Sequence, residues 1–153
     1  MSGIVGGAGS KSGVIGDTEG HRGVWTPILS DASSGGNVAT FNALKGTYTK
    51  VGSLCLLTCF MNNISNGSCT AGNALYIQGQ PFKSWNAGYK SFTGAVFADT
   101  IDFEGENIVA TMDNNADFMY LIHVKDNTNE AQVLHNDVGG GGDIYFSFTY
   151  ITA

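Results

Sequence analysis

The chain has 153 residues, of which 13% are charged and 11% aromatic, with 22 glycines and only 2 prolines. That length suits one domain burying roughly two thirds of its unfolded surface, so no disulfide or metal staple is required. Seven basic against thirteen acidic residues leave a net charge of −6, which repels phosphate backbones and argues against a nucleic-acid partner.

Residues 1–22 carry seven glycines with only Ile4, Val5, Val14 and Ile15 as apolar pairs. Such a segment has no core of its own. It reads as an arm, flexible alone, that lies extended on a partner with the two apolar pairs as anchors. Fully extended it would reach up to ~70 Å at ~3.3 Å per residue. The first nine residues lack the basic region and continuous apolar core of a signal peptide, and nothing approaches the ~20 apolar residues of a membrane span. The expectation is a protein made and assembled in a cytoplasm, with no membrane partner.

Residues 23–153 read as the domain. Val24, Trp25, Thr26, Ile28 and Leu29 suggest a first strand, with Pro27 pointing to an edge position. Asp31 to Asn37 reads as a Ser/Gly-rich loop, and Val38 to Leu44 as a strand. The clearest feature is Gly46 to Met61. Thr47, Tyr48 and Thr49 favour a strand, Gly52 supplies a reversal, and Ser53 to Met61 continues with almost no polar interruption. One face of that second strand carries Cys55, Leu57, Cys59 and Met61, the other Leu54, Leu56, Thr58 and Phe60. Both faces call for cover, so the strand is expected to lie centrally, its outer side capped or pressed against another subunit.

Asn62 to Asn73 reads as a polar loop, Ala74 to Gln78 as a short strand, Trp85 to Gly88 as a loop, and Tyr89 to Ala98 as a strand. Ile108 to Met112 and Phe118 to Val124 follow, the latter apolar on both faces. Lys125 to Gly142 reads as a loop whose four closing glycines predict a turn. The last strand sets Ile144, Phe146, Phe148 and Tyr150 on one face against Tyr145, Ser147 and Thr149 on the other. The sum is about eight short strands and no helix: an all-β, antiparallel, jelly-roll-like sandwich.

No constellation for catalysis stands out. Gly9-Ser10-Lys11-Ser12 lacks the glycines of a phosphate loop. Asp113-Asn114-Asn115-Ala116-Asp117 begins like a calcium loop but has Phe118 and Val124 where glycine and glutamate belong. Cys55 and Cys59 are about 13 Å apart along a strand, beyond the ~7 Å limit for bridging, and read as buried thiols. His21, His123 and His135 fall in the arm, a strand and a loop; His123 shares a face with Met119 and Leu121, as a hydrogen-bonded core or interface histidine would. Asp102, Glu104 and Glu106 alternate without a pocket signature. No enzyme, metal or cofactor is expected. Trp85, Tyr89 and Phe92 are the candidate ligand or interface aromatics, able to stack on a sugar or fill a partner's pocket.

Several segments resemble tailed-phage virion surface modules. Gly9-Ser10-Lys11-Ser12-Gly13-Val14-Ile15-Gly16 with Thr18-Glu19 is similar to a segment common in virion proteins, and Gly23-Val24-Trp25-Thr26-Pro27 and Gly46-Thr47-Tyr48-Thr49-Lys50-Val51-Gly52 follow in the family's order. Gly142-Asp143-Ile144-Tyr145-Phe146-Ser147-Phe148-Thr149-Tyr150 matches its terminal strand. The resemblance covers about a quarter of the chain; residues 60–140 match nothing. It implies a β-sandwich on the outside of a phage particle, in tail fibres or on capsids. A start at Met1 with its own arm favours a capsid decoration or cement protein, a homotrimer bound to the major capsid protein lattice on the capsid exterior. The alternative is a receptor- or glycan-binding knob of a tail or head fibre.

Overall fold

The computed structural model describes residues 21–86, 88, 92–105, 107–124, 126 and 129–153, with the side chains of residues 43 and 44 excepted. The chain is all-β. Its strands are β1 (His21–Trp25), β2 (Ile28–Ala32), β3 (Gly35–Val38), β4 (Ala43–Val51), β5 (Leu54–Ile64), β6 (Tyr76–Gln78), β7 (Phe92–Ile101), β8 (Asn107–Met112), β9 (Phe118–Val124), β10 (Ala131–Gln132) and β11 (Val138–Ile151). A 3-10 turn, His135–Asp137, precedes β11. The order across the sheet is β1-β4-β5-β11-β7-β8-β9-β6-β2-β3, with β10 on β9, and each pairing is antiparallel.

One sheet makes both layers because β7 changes partners along its length. Phe92 to Ala95 pairs with β8, while Val96 to Ile101 pairs with β11. Gly94 sits at the change, where a Cβ would lie 2.7 Å from the Phe148 ring and from the Ser147 carbonyl. Only glycine lets the strand close down on β11 there. At the far ends of the sheet, β1 and β2 are joined by Thr26 and Pro27 alone. The strand before it, β1, does hold an edge position; Pro27 itself lies in the crossover between layers, where its missing N–H costs no ladder bond.

The alternating pattern of β11 points Ile144, Phe146, Phe148 and Tyr150 inward, as its sequence predicts. They meet Cys55, Leu57, Cys59 and Met61 of β5, Trp25 of β1, and Leu29, Ile77, Ala110, Met112, Met119 and Leu121 from the other layer in one core. At ~25 cal/mol per Å² of apolar area, this shared core supplies the main stabilisation.

Several predicted boundaries move. Asp31 to Asn37 is a tight β2–β3 hairpin, not an open loop, and Val38 to Leu44 is broken between β3 and β4. The four glycines 139–142 belong to β11, which bulges between Val138 and Asp143. A side chain on Gly142 would crowd Val138 at 3.0 Å and the Thr100 carbonyl at 3.2 Å, so absent side chains let the bulge pack on β7. Asp102 and Glu104 lie in the β7–β8 turn rather than on a strand, so the predicted alternation of carboxylates does not form there. β1 begins at His21, so His21 and Arg22 pair with Lys50 and Thr49 of β4.

Candidate functional site: an apolar sheet face

Cross-strand register builds the site row by row on the outer face of β1, β4, β5, β11 and β7. Val24, Thr47, Thr58 and Ser147 form one row, and Arg22, Thr49, Leu56 and Thr149 the next. Lys45, Phe60, Tyr145 and Phe97 form a third, and Val51, Leu54 and Ile151 a fourth at the hairpin end. Each of these residues alternates with an inward-pointing neighbour, so all share the side away from the core.

The face is apolar and open. Val24 is 83% exposed, Phe97 64%, Val51 53%, Leu54 47% and Leu56 43%. Among the described residues they are most of the large apolar side chains left exposed, and they share one face. Val51, Leu54 and Leu56 lie towards the hairpin end and Val24 and Phe97 at opposite margins, with Thr47, Thr49, Thr58, Ser147 and Thr149 between them. Such a concentration on one side marks an interaction surface. The Phe60 ring packs on Tyr145 at 4.5 Å and Tyr145 on Phe97 at 5.6 Å. Thr47 and Thr58 share a 2.6 Å hydroxyl contact between them. Charge appears only at the margins: Arg22 and Lys45 on β1 and β4, and Asp143 and Asp99, opposite one another, on β11 and β7. The Tyr145 hydroxyl donates to Asp143 at 3.1 Å. Desolvation, then that bond and the charges of Asp143 and Asp99, raise the phenol pKa.

The expected aromatic cluster is not one site. Trp85 is exposed beside a cleft of about 460 Å³ lined by Ser53, Ile151, Thr152 and Ala153, its backbone N–H bonded to Ile151. Phe92 instead packs against Tyr150 at 6.2 Å, half-buried on the core. Tyr89 lies outside the described residues, as do Ile4, Val5, Val14 and Ile15.

Among the described residues, no three His, Cys, Asp or Glu side chains converge as metal ligands would. In the 113–117 loop, Asp113 accepts the Tyr120 hydroxyl at 3.0 Å and Asp117 faces Lys83 at 3.7 Å. Burial keeps the Cys55 and Cys59 thiols protonated, Cys59 pushed up to about 12. His123 is buried on β9 with its ring 6.1 Å from Phe103, the core position its face predicts, but among the described residues its Nδ1 has no hydrogen-bond partner.

Asp31 and His135 form a buried polar pin that the sequence leaves inside loops. The Asp31 carboxylate accepts the N–H of Asn37 at 2.7 Å, its side-chain amide at 3.0 Å and the Thr70 N–H at 2.8 Å. His135 places Nε2 3.0 Å from the Ser30 carbonyl and Nδ1 3.1 Å from Oδ1 of Asn66. These contacts fasten the 65–73 loop to β2 and to the approach to β11. Their role is support, since both side chains are buried.

No protein-family model matches the chain, and no curated protein matches it. Its fold does match a solved structure, the crystal structure of Dettilon tailspike protein (gp208), with a TM-score of 0.63 and 13% sequence identity. The match covers 87% of this chain and 24% of that one. The likeness is one of fold: nearly the whole chain folds as a small part of a much longer tailspike does.

Proposed function

We propose that the chain is a non-enzymatic structural module on the outside of a tailed-phage particle, carried in a tail appendage. The observation that carries this reading is the fold match to part of a tailspike over nearly the whole chain. The ordered sequence segments at the ends and in the central hairpin, similar to those of phage virion proteins, support it independently. In such an appendage a glycan of the host surface would stack on Trp85, the exposed aromatic beside an open cleft. A glycan array of wild type and Trp85→Ala tests this directly. Binding by wild type that the variant loses is the expected result; no binding by wild type on any glycan contradicts the sugar-binding role.

A second reading is capsid decoration, in which a trimer binds the major capsid protein lattice and stabilises it by burying surface between neighbours. The apolar pairs Ile4-Val5 and Val14-Ile15, set in a glycine-rich stretch, favour it as anchors on a shell. Deleting residues 1–20, which leaves β1 whole, would abolish binding to purified capsids under this reading, and undiminished binding contradicts it.

A further inference from the structure

We infer that the outer face of β1, β4, β5, β11 and β7 is covered by a second copy of this chain, related by a rotation axis parallel to the strands. The inference rests on the geometry of the face and stands whether or not the chain is carried on a virion.

The centre of the face carries no charge: Leu56 and the Phe60–Tyr145 ring pair stand among the hydroxyls of Thr47, Thr58 and Ser147, and charge depletion with aromatic side chains is a compositional mark of an interface core. Five strands ~4.8 Å apart and about seven residues long span on the order of 500 Å² of plane. Side-chain relief brings that towards the ~800 Å² per partner of a standard interface.

The margins identify the occupant. Arg22 and Lys45 lie to one side of the centre, Asp143 and Asp99 to the other. Asp143 and Asp99 are direct register partners; the Asn63 N–H and the Tyr145 hydroxyl donate to Asp143 at 2.8 and 3.1 Å, and the two like charges placed opposite still favour a cation beside them. An axis parallel to the strands leaves each row at its own level while bringing opposite margins together. Lys45 then meets the acidic pair of the next copy, since the two stand one side-chain step apart, about 7 Å along the strand. The same operation brings the β1 margin, with Val24, over the β7 margin, with Phe97, again one side-chain step apart; these are the two most exposed of the large apolar side chains on the face. One chain thus supplies both halves of the contact, the condition for symmetric self-association.

Light scattering on the eluting full chain, from low micromolar to near millimolar, tests the inference. The wild type is expected to run as a closed oligomer. Leu56→Asp, at the centre of the face, weakens association by roughly 100-fold with unchanged circular dichroism. Lys45→Glu also weakens it, and the charge-swapped double variant Lys45→Glu with Asp99→Lys recovers it, an effect that loss of fold could not produce. A monomeric wild type at every concentration, or an oligomer indifferent to both Leu56→Asp and Lys45→Glu, would overturn the proposal and leave the face to another occupant.

Discussion

Two glycines in the paired strands β1 and β4 are required by the rings that lie on them. In register, Gly23 faces Tyr48 and Trp25 faces Gly46. A Cβ on Gly23 would lie 2.5 Å from the Tyr48 ring, and one on Gly46 2.6 Å from the Trp25 indole. Trp25 crosses its glycine to donate to the Thr47 and Thr58 carbonyls at 3.2 and 3.1 Å. The Gly-x-Trp and Gly-x-Tyr segments are thus two halves of one packing device, which the sequence shows only as separate motifs. Gly46→Ala is expected to destabilise the chain by about 1–3 kcal/mol through overpacking, read as a lower urea midpoint with an unchanged slope. Asp31 governs the acid limb. Its hydrogen bonds from Thr70 and then Asn37 hold the carboxyl below the usual carboxylate range. With the folded pKa below the ~3.9 of an unfolded Asp, its contribution is full above that value and is lost as pH falls through the folded pKa. Urea titrations from neutral pH to about pH 2 should show Asp31→Asn less stable than wild type at neutrality and less sensitive to acid. Equal acid sensitivity in the two would contradict this role.

β5 shows what an apolar strand does with two faces. Leu57 is fully buried while Leu56 beside it is 43% exposed, so neighbours of one residue type answer to different surroundings. Leu57→Ala should cost ~2–5 kcal/mol at any protein concentration. Leu56→Ala should cost about 0.5 kcal/mol or less in the dilute monomer, and should flatten the concentration dependence of the melting midpoint. β5, β9 and β11 are legible in the sequence because long apolar or alternating runs dictate a buried strand. The β4–β5 hairpin is legible because Gly52, with φ of 58°, takes the turn. β3, β10 and the glycine-rich start of β11 are not, because no side-chain pattern marks them and only pairing with an existing sheet makes them strands. The candidate site is half legible for the same reason. The doubly apolar β5 announces that its outer side meets something, but Val24, Phe97 and the margin charges join it only through register.

The sheet runs on through its β7 corner, with the core on one side of β1, β4, β5 and β11 and, on the other, an exposed face whose charge lies only at the margins. That division of labour suits a module whose stability is its own and whose outer face is for assembly. The copy number of the chain in purified particles, by quantitative mass spectrometry against the major capsid protein, decides whether the module is carried in a virion tail as proposed. The chain is expected at a small fraction of the capsid subunit, as a tail appendage would be. A number comparable with the capsid subunit would contradict the tail assignment in favour of decoration, and absence from the particle would contradict the virion role altogether.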